Sequence, residues 1–556
     1  TLDDAGYGLR DFDRERASII VGASGGIGDV GAQYALRSET ARFAGALDKR
    51  VSERLPSWTE DSFAGILLNV AAGRAANRLD FGGVNYAVDS ACASSLTAVY
   101  QAVGELEAGR SDLVIAGGID TVQGPFGYLC FSKTQALSPR GRCSTFDTSA
   151  DGIVISEGIA MVVLKRLADA ERDGDRVYAV IKGAGGSSDG RARSMTAPHP
   201  AGQIRALQRS YGQAGYSPAT VELLEAHGTG TVAGDTAELE TVTRLLRASG
   251  AAANQTAIGS VKTLIGHTKA TAGIAGLVKT CLALHHKVLP PHANVTSPSR
   301  SIADPDSPLY LVSDAMPWPA HPDHPRRAGV SAFGFGGTNF HVALEEYQGD
   351  YVKHARPAVM DRLQSELLVW RAPDRARLIE AIRAVQHQLD QGARPCLRDL
   401  AYTLAQTLPE TGETAAIVVR PQDPLSNRLS LLVAHLQNPD AEPLPPQAFF
   451  TSRPLAPEGK IAVVFAGQGS QYPNMMRELA LLFPAFREVI ETGDRVLRDA
   501  VETSAGPGAR LSRLIYPGGL YGDEAQQQAA DALTQTDIAQ PAIGLVEAGL
   551  WAVMKA

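Results

Sequence analysis

Val88-Asp89-Ser90-Ala91-Cys92-Ala93-Ser94-Ser95-Leu96 sets a cysteine where an apolar strand hands over to an amphipathic helix. The small neighbours permit a tight turn. Leu96, Val99, Val103 and Leu106 follow at helical spacing until Gly109. Backbone N–H groups at a helix start favour a thiolate and can hold an anion, so a nucleophile is useful here. A lone cysteine in such surroundings is more often inert packing.

Outward from this turn, short apolar runs alternate with amphipathic stretches as far as about residue 345, the pattern of an α/β domain. Ser18-Ile19-Ile20-Val21, Asp112 to Gly118, and Ala160 to Leu164 read as strands. Two histidines sit where apolar runs meet loops: Glu225-Ala226-His227-Gly228-Thr229-Gly230-Thr231 and Val261-Lys262-Thr263-Leu264-Ile265-Gly266-His267. In α/β folds this is the usual place for active groups. Ser331-Ala332-Phe333-Gly334-Phe335-Gly336-Gly337-Thr338-Asn339 is a glycine-dense loop that lets backbone N–H groups approach a ligand. Either histidine alone would pass as structural, and the loop alone as a turn.

Together, and in this order, the four segments resemble the β-ketoacyl synthase family, over residues 1 to about 346. The resemblance implies a thiolase-like layered αβαβα fold. It implies that Cys92 carries the acyl chain as a thioester and that His227 and His267 bind a malonyl thioester and promote loss of carbon dioxide. Lys262 would support His267. The N–H groups of Cys92 and Phe335 would form an oxyanion hole, with Phe335, Gly336 and Gly337 lining the acyl pocket. A thiolase would carry a second cysteine in the loop where Phe335-Gly336-Gly337-Thr338-Asn339 stands, which favours condensation. Phe146 to Gly152 and Glu157-Gly158 match a supporting segment of the same family. A non-elongating docking module and a cysteine hydrolase are the competing readings.

Other features have plainer readings. Gly22-Ala23-Ser24-Gly25-Gly26-Ile27-Gly28 imitates a dinucleotide-binding turn, but the stretch after it is Arg-rich where an acidic strand end should follow. His285, His286 and His292 have poor metal spacing and read as a surface turn. Cys130, Cys143, Cys281 and Cys396 read as packing residues. Five cysteines without a CxxC pair argue against a disulfide or zinc framework, so no metal and a cytoplasmic setting are expected. Net charge is -8, which leaves no overall basic footprint for nucleic acid, and no apolar run has membrane length.

Beyond residue 347 the glycine-rich loops stop. Residues 348–458 read as a small α/β linker domain with one strand-like run, Glu366 to Trp370, and a proline-marked connection at Pro443, Pro445, Pro446 and Pro454. A third α/β body is expected over 459–556, opening with a strand at Lys460 to Phe465. Phe465-Ala466-Gly467-Gln468-Gly469-Ser470-Gln471-Tyr472 and Thr534 to Ala542 resemble the start of a malonyl-type acyltransferase. Gln468 would give its oxyanion N–H, and the family's serine motif is not in the sequence. Both ends look cut, the opening strand of the ketosynthase part included, so its first sheet is expected to be incomplete. The arrangement resembles type I polyketide synthases, and more narrowly polyunsaturated-fatty-acid synthases. It implies an acyl carrier protein delivering phosphopantetheine thioesters, no covalently held cofactor, further megasynthase domains, and a homodimer.

Overall fold

The computed structural model describes residues 1–24, 28–191, 197–349, 365–440, 442–454, 460 and 462–555. They divide into two compact units, Thr1–Pro357 with Ala466–Ala556, and Ala358–Phe465.

In the first unit the strands are β1 (Ala17–Ala23), β2 (Asn85–Val88), β3 (Leu113–Asp120), β4 (Gly158–Leu164), β5 (Val180–Ser188), β6 (Leu223–Glu225), β7 (Thr256–Gly259), β8 (Val288–Leu289), β9 (Leu309–Tyr310), β10 (Met316–Pro317), β11 (Arg327–Gly334) and β12 (Thr338–Glu345). One sheet has the order β2-β1-β3-β4 and another β5-β12-β11-β6-β7-β9, while β8 and β10 form a short ladder.

Strand periodicity sorts the side chains into layers. Ile19 and Val21 pack outward on Ala72 and Ala76 of the helix Leu68–Leu79. Ile20, Val114 and Ala116 face inward, onto Leu96 and Val99 of the helix Ser94–Glu107 and Ile274 and Leu277 of the helix Ala272–His286. Leu223 and Ala257 of the second sheet join that inner cluster. Their neighbours Leu224 and Ile258 face the outer helices Pro200–Ala214 and Val232–Ala248. The result is five layers, αβαβα. Close approach needs glycine at two points: a Cβ on Gly22 would stand 2.4 Å from the Ser94 carbonyl carbon, and one on Gly273 2.6 Å from Leu96 Cγ.

The C-terminal segment departs from expectation. Lys460 and residues 462–465 form no strand, and Val464 is 89% exposed. A strand needs a ladder partner, and the described residues offer it none. The helices that follow, among them Pro484–Val496, Leu511–Ile515 and Thr536–Lys555, do not form a body of their own. Phe486, Ile490 and Leu511 share one buried cluster with Met316 and Trp318. Glu222, 2% exposed, accepts from Trp318 Nε1 at 2.9 Å and from Arg510 at 2.6 Å, with Arg513 at 3.5 Å. Sharing buried apolar surface and a buried charge fuses the segment to the first unit.

The second unit is an antiparallel sheet β13 (Glu366–Ala372), β14 (Glu413–Val419) and β15 (Ala448–Thr451), packed on helices Arg375–Asp390, Leu397–Gln406 and Leu425–Gln437. The sequence signalled only β13. β14 opens Glu-Thr-Ala-Ala without clear alternation, and β15 is short and follows the prolines. No helix among the described residues is long and apolar enough to cross a membrane.

Candidate active site

Cys92 lies in a single helical turn, Ala91–Ala93, between β2 and the helix that begins at Ser94. Ala91 has φ 52°, strained for a residue with a Cβ. Side chains hold the turn. Asp89 Oδ1 accepts the Ala91 N–H at 2.9 Å, Ser94 Oγ accepts the Ser90 N–H at 2.9 Å, and Ser94 Oγ donates to the Ala91 carbonyl at 2.6 Å. Cys92 is a half-buried free thiol. Burial pushes its pKa up to about 11, opposed by the Lys262 and Lys269 charges and its own backbone N–H, while Asp120 adds to the rise.

His227 follows directly from β6. Glu238, on the helix Val232–Ala248, accepts the N–H groups of His227 and Gly228, both at 2.7 Å. His267 is anchored from another side: its N–H donates to the Val154 carbonyl at 2.6 Å, and its own carbonyl accepts the Ser156 N–H at 3.0 Å. The Lys269 N–H donates to His267 Nδ1 at 3.1 Å, so the neutral ring carries its proton on Nε2. The two imidazoles meet edge to face, centroids 5.6 Å apart at 82°. Burial, then the Lys262 charge, holds both well below the ordinary histidine pKa. Both are neutral near pH 7. His227 Nδ1 is buried with no hydrogen-bond partner among the described residues.

Lys262 is 2% exposed. Burial lowers its pKa, and the carboxylates of Glu225 and Glu238 push it back up. Its charge lowers the pKa of Cys92, His227 and His267 alike.

The loop Phe335–Gly337 joins β11 to β12, with Gly336 at φ 95° and Gly337 at φ 76°. A Cβ on Gly334 would stand 2.2 Å from the Ser90 carbonyl oxygen, and Thr338 Oγ1 donates to that same oxygen at 3.2 Å. The hairpin is thus fixed against the turn that carries Cys92. The Gly337 carbonyl accepts the Asp189 N–H at 2.8 Å. Phe335 is 46% exposed, its ring 6.4 Å from that of Phe131.

Several residues that shape the site gave no sequence signal. Glu238 is one, buried with its pKa pushed up to about 7 mainly by burial. Lys269 and Asp120 form a buried ion pair at 3.0 Å that ties the His267 loop to the end of β3. His292, expected on a surface turn, is 5% exposed. Its Nδ1 accepts the Ser260 N–H at 3.2 Å and its Nε2 donates to the Thr145 carbonyl at 2.9 Å. His285 and His286 end a helix rather than a turn. In the supporting segment, Asp147 accepts the N–H groups of Ser149, Thr296 and Ser297.

Cys143 is buried and Cys281 half-buried, but Cys130 and Cys396 are exposed and pack nothing, because each sits on the outer face of a helix or at its cap. Residues 25–27 of the Gly22–Gly28 turn lie outside the described residues. Gln468, on an exposed loop, donates to Thr536 Oγ1 at 3.2 Å and accepts from Gln540 Nε2 at 3.3 Å, so the two acyltransferase-like segments do meet. No cluster of His, Cys, Asp or Glu suited to a metal occurs among the described residues.

Two family profiles match the chain: beta-ketoacyl synthase, N-terminal domain, over residues 1–170, and its C-terminal domain over 178–296. A polyunsaturated fatty acid synthase component of Thraustochytrium sp. is 35% identical over 528 residues, covering 91% of this chain and 19% of that one. A phenolphthiocerol/phthiocerol polyketide synthase component of Mycobacterium tuberculosis is 37% identical over 469 residues, covering 82% and 24%. The chain therefore spans a quarter or less of these two relatives. Among solved structures, the ketosynthase from module 6 of the bacillaene synthase of Bacillus subtilis matches with TM-score 0.54 and 30% identity, covering 81% of this chain and 71% of that one. The oxazolomycin ketosynthase domain of Streptomyces albus gives 0.53 and 30%, covering 79% and 70%.

Proposed function

The chain belongs to the β-ketoacyl synthase family, and from that premise we propose that it condenses acyl units by decarboxylative Claisen chemistry on Cys92, as part of a type I polyketide or polyunsaturated-fatty-acid synthase. What carries the proposal is the crossed pair of neutral imidazoles under one buried lysine charge that also reaches the thiol.

Cys92 sulfur attacks an acyl thioester, its proton leaves with the departing carrier thiol, and the acyl chain becomes a Cys92 thioester. A malonyl thioester then binds with its carbonyl oxygen toward His227 and His267. Cleavage of its carboxyl C–C bond releases carbon dioxide and leaves an enolate, whose charge neutral N–H donors stabilise. The enolate carbon attacks the acyl carbonyl, the new C–C bond forms, and Cys92 leaves as thiolate. The N–H groups of Cys92 and Phe335 serve the oxyanion of that step. Gly336 and Gly337 allow the hairpin to close on the acyl pocket. Lys262 is a positioning residue that holds the field around both rings.

The partner is an acyl carrier protein bringing phosphopantetheine thioesters; the chain holds no covalent cofactor of its own. Free thiols throughout fit a cytoplasmic setting. A homodimer through the ketosynthase part is supported by the helix Pro125–Lys133, which buries none of its residues and exposes Phe126, Tyr128 and Leu129. Residues 1–347 form the ketosynthase, 348–458 the linker, and 459–556 the start of an acyltransferase to which Gln468 belongs. Intact-mass analysis with peptide mapping, after incubation with acyl thioesters of graded length, tests the reading. Acylation of the Cys92 peptide, and carbon dioxide released with malonyl-carrier substrate, are expected. Free acid without carbon dioxide would reveal a hydrolase, and an unmodified Cys92 would end the proposal.

A further inference from the structure

The His267 ring depends on a residue that must itself be held. The Lys269 N–H donates to His267 Nδ1 at 3.1 Å, and Lys269 sits at φ 49°, a left-handed conformation strained for a residue with a Cβ. Its side chain supplies the hold. Lys269 Nζ donates to the Ser156 carbonyl at 2.8 Å and pairs with Asp120 Oδ1 at 3.0 Å. Ser156 thereby grips both ends of His267-Thr268-Lys269, since its N–H donates to the His267 carbonyl.

Asp120 ends β3 and is 4% exposed. Besides Lys269 Nζ it accepts the Val122 N–H at 3.2 Å and the Ala270 N–H at 3.4 Å. It is fixed from the side of the thiol as well. A Cβ on Gly118, two residues earlier in β3, would stand 2.9 Å from both Ser95 Cβ and Thr271 Cα. Ser95 Oγ in turn accepts the Ile274 N–H at 3.0 Å. The end of β3 is therefore wedged between the helix that follows Cys92 and the turn that follows His267.

Opposite charges give this brace a second property. Three charges act on Cys92: those of Lys262 and Lys269 favour the thiolate, and that of Asp120 opposes it. The two members of the pair thus pull the thiol in opposite directions. At His267 the charges of Lys262 and Lys269 both disfavour the imidazolium.

We propose that Asp120 and Lys269 are a positioning pair. They clamp the backbone N–H that keeps the His267 proton on Nε2, and they do so without adding net charge beside Cys92. The consequence for decarboxylation rests on the condensation reading; the clamp itself does not. Neither residue acts on substrate directly.

The test uses the full chain and three variants: Asp120→Asn, Lys269→Met and the two together. Nitrogen NMR on histidine-labelled protein, with the His267 signals assigned by their loss in His267→Asn, should show the Nε2–H tautomer alone in the parent. All three variants should show a mixture of tautomers. Carbon dioxide release from malonyl-carrier substrate should fall about 10–100-fold in each, the scale of a misplaced reacting group. Alkylation of Cys92 by iodoacetamide at pH 8 separates the pair from a simple brace. It should rise severalfold in Asp120→Asn, which leaves the ammonium, and fall severalfold in Lys269→Met, which leaves the carboxylate. In the double variant it should return near the parent rate, although carbon dioxide release does not recover. Where a single variant does not fold, the double variant decides, because it strips no buried charge of its partner. An unchanged His267 tautomer in the double variant overturns the proposal. So does a shift of Cys92 alkylation in the same direction in both single variants, which a merely loosened turn would give. If the unaltered chain released no carbon dioxide, the condensation reading would fall, and the ring and thiol signals, which need no turnover, would still decide this one.

Discussion

Gly334 and Ser90 approach so closely that a Cβ on the glycine would stand 2.2 Å from the serine carbonyl oxygen. This contact presses the β11–β12 hairpin onto the turn that carries Cys92, and it admits no side chain. Gly334→Ala must push the hairpin away. A shift on the order of 1 Å at a reacting geometry costs about 100-fold in rate, whereas overpacking costs about 1–3 kcal/mol of stability. Condensation should therefore collapse while circular dichroism still shows a folded protein. Unchanged turnover would show that the contact positions nothing.

The imidazoles should separate the two half-reactions. His227→Asn and His267→Asn are each expected to leave acylation of Cys92 within severalfold of normal. Carbon dioxide release from malonyl-carrier substrate should fall about 10²–10³-fold, the usual cost of removing one donor to a developing oxyanion. Loss of acylation and decarboxylation together would mean that the rings act through folding.

Cys92 should titrate late. With its pKa pushed to about 11 by burial, the thiolate fraction at pH 7 is about 10⁻⁴. Alkylation of Cys92 by iodoacetamide should rise about tenfold per pH unit from pH 7 to pH 10, with no plateau near 9. The raised value is also a stability statement: its contribution is complete below the ordinary thiol pKa and is lost as pH climbs towards 11. A plateau at pH 8 would show that the helix start outweighs burial at this thiol.

Glu222 predicts an acid limit. Burial alone would raise its pKa, but Arg510, Arg513 and the Trp318 N–H hold it down to about 2. A depressed carboxylate contributes stability that is present above its unfolded value near 4.5 and lost as pH falls towards 2. Arg510→Met should lower stability by about 3–5 kcal/mol at pH 7, since it strips a buried charge of its nearer partner. Its melting temperature should fall less steeply than the parent's between pH 4.5 and 2. Parallel curves would mean that the carboxylate is solvated and the C-terminal helices are not docked on it.

Much of the site was legible in the sequence. Cys92, His227, His267, Lys262 and the Phe335 loop are each declared by neighbours in the chain. The strands β1, β3 and β4 and the helix from Ser94 follow from apolar spacing. What failed was what spacing cannot carry. Glu238 looks like any helical acid until its face is known to be buried, and His292 reads as a loop residue until Thr145 and Ser260 close around it. Lys460 to Phe465 has the composition of a strand, but its described residues, Lys460 and 462–465, join no ladder among the described residues.

The sequence by itself determined the local chemistry: a thiol on a tight strand-to-helix turn, one imidazole just past a strand and another just past a short helix, and a glycine hairpin. Adjacent residues set those backbone conformations through short-range sterics and periodicity. Only the tertiary structure decided which ring nitrogen of His267 carries the proton, which carboxylates are buried, and that the C-terminal helices share the first unit's core. Those outcomes depend on desolvation and on which distant segments pack together, and neither is a property of any stretch of chain taken alone.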